Sequence, residues 1–165
     1  MITWTDLLFA VYIAVPAYLA NSLPTVSKGG GQIDRGYRFV DGERILGTNK
    51  TFKGLAFGLF GGLLASIAME FLLERGLFIL GSLASLGALL GDLLGAFIKR
   101  RLKMEPGAPF PVLDQLDFIL GALLLTYPVH QASVGTAIIL GLFTPPVHLL
   151  ANFIAYHLGV KKYWW

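Results

Sequence analysis

The chain has 165 residues, 55% hydrophobic and only 14% charged, with a mean hydropathy of +0.68. That apolar share lies far above a soluble domain's and leaves room for short loops only, so it predicts a single membrane-embedded domain over residues 1–165. The formal net charge is +3, which matters less than where the charges sit, and the absence of cysteine excludes disulfides and thiol chemistry.

A membrane span needs roughly 20 mostly apolar residues. Five segments qualify: residues 4–19, 52–73, 77–98, 116–134 and 136–158. The expected fold is therefore an all-α integral membrane protein with five transmembrane helices. The first segment lacks a positive leader and a cleavage site, so it is read as a retained helix. The fourth carries Pro128, His130 and Gln131 in its last third, and would make a four-span protein if it entered the bilayer only part way. Pro145-Pro146 should kink the fifth. Basic residues set the orientation. Lys28, Arg35, Arg38, Arg44, Lys50 and Lys53 lie in or at the end of the first loop, Lys99, Arg100, Arg101 and Lys103 in the third, and Lys161 and Lys162 at the C-terminus. Only Arg75 of the thirteen cations falls in the second loop, beside Glu74. With five spans the cation-rich segments share one face, which the positive-inside rule makes cytoplasmic, and the N-terminus lies outside. Trp4 at one end and Tyr163, Trp164 and Trp165 at the other suit interfacial anchors.

The first cytoplasmic loop, residues 21–51, opens with Asn21 and Pro24. Asp41-Gly42, flanked by alternating apolar residues, reads as a small β-hairpin. Asn21 and Asp41 are candidate ligand contacts, and each could equally serve a turn or cap. Lys50 and Thr51 invite a P-loop reading, but Thr48-Asn49 separate Gly47 from Lys50, so the GxxxxGK[ST] pattern is absent. Lys50 and Lys53 remain candidate phosphate-binding cations, because a helix start with free N–H groups suits phosphate.

The third span carries Gly87, Gly91 and Gly95 at four-residue spacing, which lets another backbone approach closely. This spacing permits a homodimer and equally serves packing within one chain. Asp92 lies inside that span. A carboxylate there costs about 3 kcal/mol on insertion scales and is a candidate functional group, the other reading being a buried acid paired with a helix neighbour for packing alone. Asp92 and Lys99 fall near one helix face, about 10 Å apart along the axis. The second cytoplasmic loop, residues 99–115, leads to Asp114 and Asp117. These two also suit a helix cap and first-turn dipole compensation. Beside the cations, however, three carboxylates at one membrane edge suit a metal–phosphate site, with hard divalent ions on Asp92, Asp114 and Asp117 and phosphate oxygens on Lys99 and Arg100. His130, His148 and His157 share no metal spacing and read as interhelical or interfacial. Asn152 reads as an interhelical hydrogen-bonder. No HExxH, GxSxG or dinucleotide fingerprint is present, and no nucleic-acid partner is expected.

The run from Gly91 to Phe118 resembles the signature of the CTP-dependent phosphatidate cytidylyltransferases, and most closely their archaeal branch, the CDP-archaeol synthases. The resemblance rests on Gly91-Asp92, Lys99-Arg100-Arg101, Gly107-Ala108-Pro109 and Asp114-Gln115-Leu116-Asp117-Phe118. Asn21, Pro24, Asp34, Asp41-Gly42, Arg44, Gly47, Lys50-Thr51 and Lys53-Gly54 extend it into the first loop. The His-Gly-Gly of the bacterial and eukaryotic signature is absent. The resemblance implies that a lipid phosphate attacks the α-phosphorus of CTP and pyrophosphate leaves. It also implies Mg²⁺ as cofactor, and CTP, an isoprenoid ether lipid phosphate and membrane lipids as partners. Two other readings are a CDP-alcohol phosphotransferase, whose DGxxAR run is missing here, and a small transporter using Asp92, for which no internal repeat is visible.

Overall fold

The computed structural model describes residues 2–27, 29–73, 76–161 and 164. The expectations placed on Lys28, Glu74, Arg75, Lys162, Tyr163 and Trp165 lie outside the described residues.

Five helices form one bundle: α1 (Trp4–Ser22), α2 (Phe52–Leu72), α3 (Leu77–Arg101), α4 (Leu113–Thr126) and α5 (Val134–His157). A short 3-10 turn, Leu23–Val26, follows α1. Thr3 and Asp6 close a capping box at the start of α1, with each side chain accepting from the other's backbone N–H. The Thr51 and Ser133 hydroxyls accept from Gly54 N–H and Thr136 N–H at the starts of α2 and α5, both at 3.0 Å. Helix α5 runs on through Pro145 and Pro146 as one element.

α3 is the central helix and packs on α1, α2 and α4. Small residues dominate these seams, with Ala10, Ala17, Ala20, Ala84, Ala88 and Ala122 almost fully buried beside Ile13, Phe118 and Ile119. Without a hydrophobic force between helices in lipid, close backbone approach has to supply the packing. The glycine stripe of α3 shows how close that approach is. A Cβ added at Gly87 would stand 2.4 Å from the Gly121 carbonyl oxygen, and one at Gly91 would stand 2.2 Å from the Asp117 carbonyl oxygen. α4 therefore covers this stripe, and it serves packing within one chain. The perimeter is apolar and exposed, with Phe71, Ile79, Leu124 and Leu142 among many such residues, as expected of a bundle whose solvent is hydrocarbon.

Four helices, α1, α2, α3 and α5, are long and apolar enough to cross a membrane. α4 has 14 residues, about 21 Å of helix, and ends eight residues before the expected boundary. Pro128 stops it in a turn in which Val129 N–H and His130 N–H both donate to the Thr126 carbonyl. The turn carries the chain to the far end of the bundle, where His130 stacks on Phe9 at 3.7 Å and the Ser133 hydroxyl donates to Asp6. In the first loop the hairpin is reduced to isolated bridges, Arg38 with Arg44 and Gln32 with Thr51, and no strand forms among the described residues.

Candidate functional site

Both polar loops pack onto the end of the bundle where α3 finishes and α4 begins. Their folding places each charged side chain. In the first loop, Asp34 is the organiser. Its buried carboxylate takes Arg44 as an ion pair and accepts from the backbone N–H groups of Gly36, Leu46 and Gly47. Burial alone would raise Asp34, but these bonds outweigh it and hold the carboxyl well below the usual carboxylate range. Ile33 N–H donates to Lys50 O and Phe52 N–H donates to Gly31 O, both at 2.9 Å. These bonds stitch the loop's end to its beginning and turn Lys50 inward.

Lys50 Nζ meets Asp92 Oδ2 at 2.6 Å, and Lys99 Nζ meets Asp114 Oδ1 at 2.7 Å. Lys99 therefore pairs across to α4 rather than with Asp92 on its own face. Asp114 also accepts from Phe110 N–H at 2.9 Å, which ties the second polar loop to the first turn of α4. Asp117 lies deeper in the α3–α4 seam. A Cβ at Gly95 would stand 1.9 Å from its Oδ2, so only glycine leaves space for this carboxylate. Its Oδ1 accepts from Phe118 N–H, and among the described residues no cation pairs with it. Asp92, Asp114 and Asp117 all line one small cavity of about 90 Å³, together with Lys50, Lys99 and Arg100. A larger cavity of about 700 Å³ adjoins it and shares Lys50, Asp92, Lys99 and Asp114.

The basic cluster of α3 separates by direction. Lys99 and Arg100 face the cavity. Arg100 is 4% exposed, donates to Glu105 O at 2.8 Å, and has a buried Nε with no protein partner. Arg101 instead clamps the first loop. Its guanidinium lies 4.9 and 4.7 Å from the ring centres of Phe39 and Phe97 and 3.2 Å from Asp41. Asp41 is thus engaged by Arg101 and lines neither cavity, and the exposed Lys53 lines neither. Asn21 lines the larger cavity.

One wall was not anticipated. His148 and Asn152 of α5, with Lys161 beyond it, also line the larger cavity. Their spacing of four on one helix face was the available signal, but it reads equally as interhelical bonding.

No three acidic or imidazole groups among the described residues stand close enough together to hold one ion jointly. The donor set still suits a hard divalent cation. It presents three carboxylates to one cavity, two of them neutralised by lysine ammonium groups and the third without a counter-charge.

A family model described as CarS-like, CDP-archaeol synthase, matches residues 4–165. The CDP-archaeol synthase of Pyrococcus horikoshii is 46% identical over 166 residues, covering 97% of this chain and 98% of that one. That of Methanococcus aeolicus is 44% identical with 92% of each chain covered, and that of Methanocaldococcus jannaschii 42% identical with 96% and 98% covered. A solved structure of an intramembrane enzyme for archaeal membrane lipids biosynthesis superposes with a TM-score of 0.83 at 37% identity, over 88% of this chain and 93% of that one.

Proposed function

We infer the activity of this chain from the family to which it belongs, the CDP-archaeol synthases. It transfers the cytidylyl group of CTP to an isoprenoid ether lipid phosphate, giving a CDP-activated lipid and pyrophosphate. The observation that carries this reading beyond the family match is the convergence of Asp92, Asp114 and Asp117 with Lys50, Lys99 and Arg100 on one cavity. Neither the phosphotransferase nor the transporter alternative has an observation in its favour.

In the proposed reaction an oxygen of the lipid phosphate forms a bond to the α-phosphorus of CTP. The bond from that phosphorus to the bridging oxygen breaks, and pyrophosphate leaves with the electron pair. The attacking phosphate is already anionic, so no side chain has to remove a proton. The chain's own residues bind, orient and neutralise. Lys50 and Lys99 stand at the junction of the two cavities and can exchange a carboxylate partner for a phosphate oxygen. The orphaned Nε of Arg100 offers a buried donor of the kind phosphate oxygens satisfy. Asp92, Asp114 and Asp117 would share one or two Mg²⁺ ions with the substrate phosphates rather than hold one ion by themselves, and the metal would supply charge neutralisation on those phosphates. The lipid chains would lie along the apolar perimeter with the head group at the loop end. The cation-rich loops support a cytoplasmic position for that end.

Purified protein with Mg²⁺, labelled CTP and a digeranylgeranyl glycerol phosphate should yield CDP-lipid. Asp114→Asn should lower CTP-dependent pyrophosphate release on the order of 100-fold or more, with an unchanged circular dichroism spectrum. Near-normal turnover would remove Asp114 from the site.

A further inference from the structure

The reaction described above leaves the α5 wall of the larger cavity unused. That wall is completed by a chain reversal. After α5 ends at His157, Gly159 takes the left-handed backbone, with φ of +70°. Val160 N–H and Lys161 N–H then both donate to the Ala155 carbonyl, at 2.8 and 3.2 Å. This fold-back is the usual way a glycine closes a helix end. It sends the Lys161 side chain back along α5 into the cavity, where Nζ donates to Asn152 Oδ1 at 2.5 Å. Asn152 in turn stands 3.4 Å from His148 Nδ1.

Charge makes this arrangement informative. Lys50 and Lys99 are each neutralised by an aspartate. Lys161 meets a neutral amide, and no carboxylate among the described residues lies at ion-pair distance from it. Asp92 and Asp114 attract it across the cavity, but each already holds a lysine of its own. Burial pushes the Lys161 ammonium below its ordinary range. A cation drawn out of water with no carboxylate at ion-pair distance is costly unless an anion arrives beside it.

We propose that Lys161 is a substrate-binding residue that engages an anionic phosphate oxygen in the larger cavity, held in position by Asn152, so that the turn following α5 forms part of the substrate site. The proposal rests on the cytidylyltransferase reading and adds a residue to it. The phosphate belongs either to CTP or to the lipid, and kinetics separate the two.

The test uses the full chain with Lys161→Met and Lys161→Arg, varying CTP and lipid phosphate separately. Lys161→Met should raise the KM of one substrate at least tenfold and leave the other within twofold, and Lys161→Arg should restore most of the loss. A raised KM for CTP assigns the contact to the nucleotide, and a raised KM for the lipid assigns it to the acceptor. An active wild type with both KM values unchanged in Lys161→Met overturns the proposal. Should Lys161→Met not purify in folded form, Asn152→Leu frees Lys161 from its hold and must raise one KM, no change again overturning it. A wild type that makes no CDP-lipid defeats the cytidylyltransferase reading instead. Equilibrium dialysis with inorganic pyrophosphate and, separately, with glycerol phosphate then decides this proposal alone, since Lys161→Met must weaken binding of one of them at least tenfold and equal binding of both overturns it.

Discussion

Glycines and aspartates divide the work of the α3–α4 seam, and the division can be tested residue by residue. At Gly91 an added methyl would meet the backbone of Asp117 and Phe118, at 2.2 and 3.0 Å, and backbone cannot step aside without parting the helices. At Gly95 the three nearest contacts of the same methyl would all be Asp117 side-chain atoms, and the carboxylate, at 1.9 Å, can turn away about its Cβ. Gly91→Ala should therefore destabilise the protein by about 1–3 kcal/mol, the usual cost of overpacking, and lower activity with it. Gly95→Ala should keep the thermal midpoint in detergent close to wild type but lower turnover sharply, because it displaces the carboxylate that lacks a counter-charge. Equal losses of stability in the two variants would show that Asp117 is held too rigidly to move. The acids and lysines of this site were legible in the sequence, because charge at a span edge stands out against an apolar background. The partners were not. Helical spacing only sets Asp92 and Lys99 on one face about 10 Å apart, whereas the folded chain pairs Asp92 with Lys50 and Lys99 with Asp114. Each pairing crosses between elements, and only tertiary packing decides which lysine reaches which acid.

The first loop is an element without regular secondary structure, and its order depends on one carboxylate. Asp34 gathers Arg44 and the N–H groups of Gly36, Leu46 and Gly47, and so fixes the path that brings Lys50 to Asp92. Asp34→Ala would leave Arg44 and three backbone donors without it, at a cost of about 3–5 kcal/mol to the loop's order. The pH dependence follows from the direction of the shift. A carboxyl whose folded pKa lies below its unfolded value, about 3.9, stabilises fully above that value and loses the contribution as pH falls through the folded one. Hydrogen exchange at Leu46 and Gly47, corrected for intrinsic rates, should thus be protected from pH 7 down to about pH 4 and lose protection only below it. In Asp34→Ala protection should be absent throughout; a protected loop in the variant would mean that the Arg101 clamp alone suffices. The sequence marked this region as a hairpin because Asp-Gly turns are a strong local signal, but the chain makes only bridges, since Asp34 draws off the backbone donors of Leu46 and Gly47. α1, α2, α3 and α5 were legible as long apolar runs. The end of α4 was only half legible: Pro128, His130 and Gln131 marked its last third as weak, but the helix stops eight residues early, at Thr126, in a turn that contains Pro128. The α5 wall stayed hidden for a different reason: the position of Lys161 depends on the backbone of Gly159, which no periodicity encodes.

Across the whole molecule, the count of crossings decides which face carries the chemistry. α4 falls short of the usual span by length, yet the chain after it ends beside Phe9 and Asp6, at the start of α1, and α5 then returns to bring Lys161 beside Asn152 at the cavity. The five helices therefore alternate in direction, and a crossing at α4 would be completed by a turn rather than by helix. The apolar perimeter turns that geometry into topology, since the bundle ends are where charge is tolerated. Residues near Ile2 and Gln131 should share one side of the membrane, and those near Val40 and Lys103 the other. The native chain has no cysteine, so single substitutions report cleanly. Ile2→Cys and Gln131→Cys should react with an impermeant maleimide on intact cells. Val40→Cys, at a position 93% exposed, and Lys103→Cys should react only after permeabilisation. Labelling of Gln131→Cys together with Val40→Cys would make α4 re-entrant and reverse α5. The C-terminal lysine would then lie across the membrane from Lys50 and Lys99, and the shared cavity could not exist.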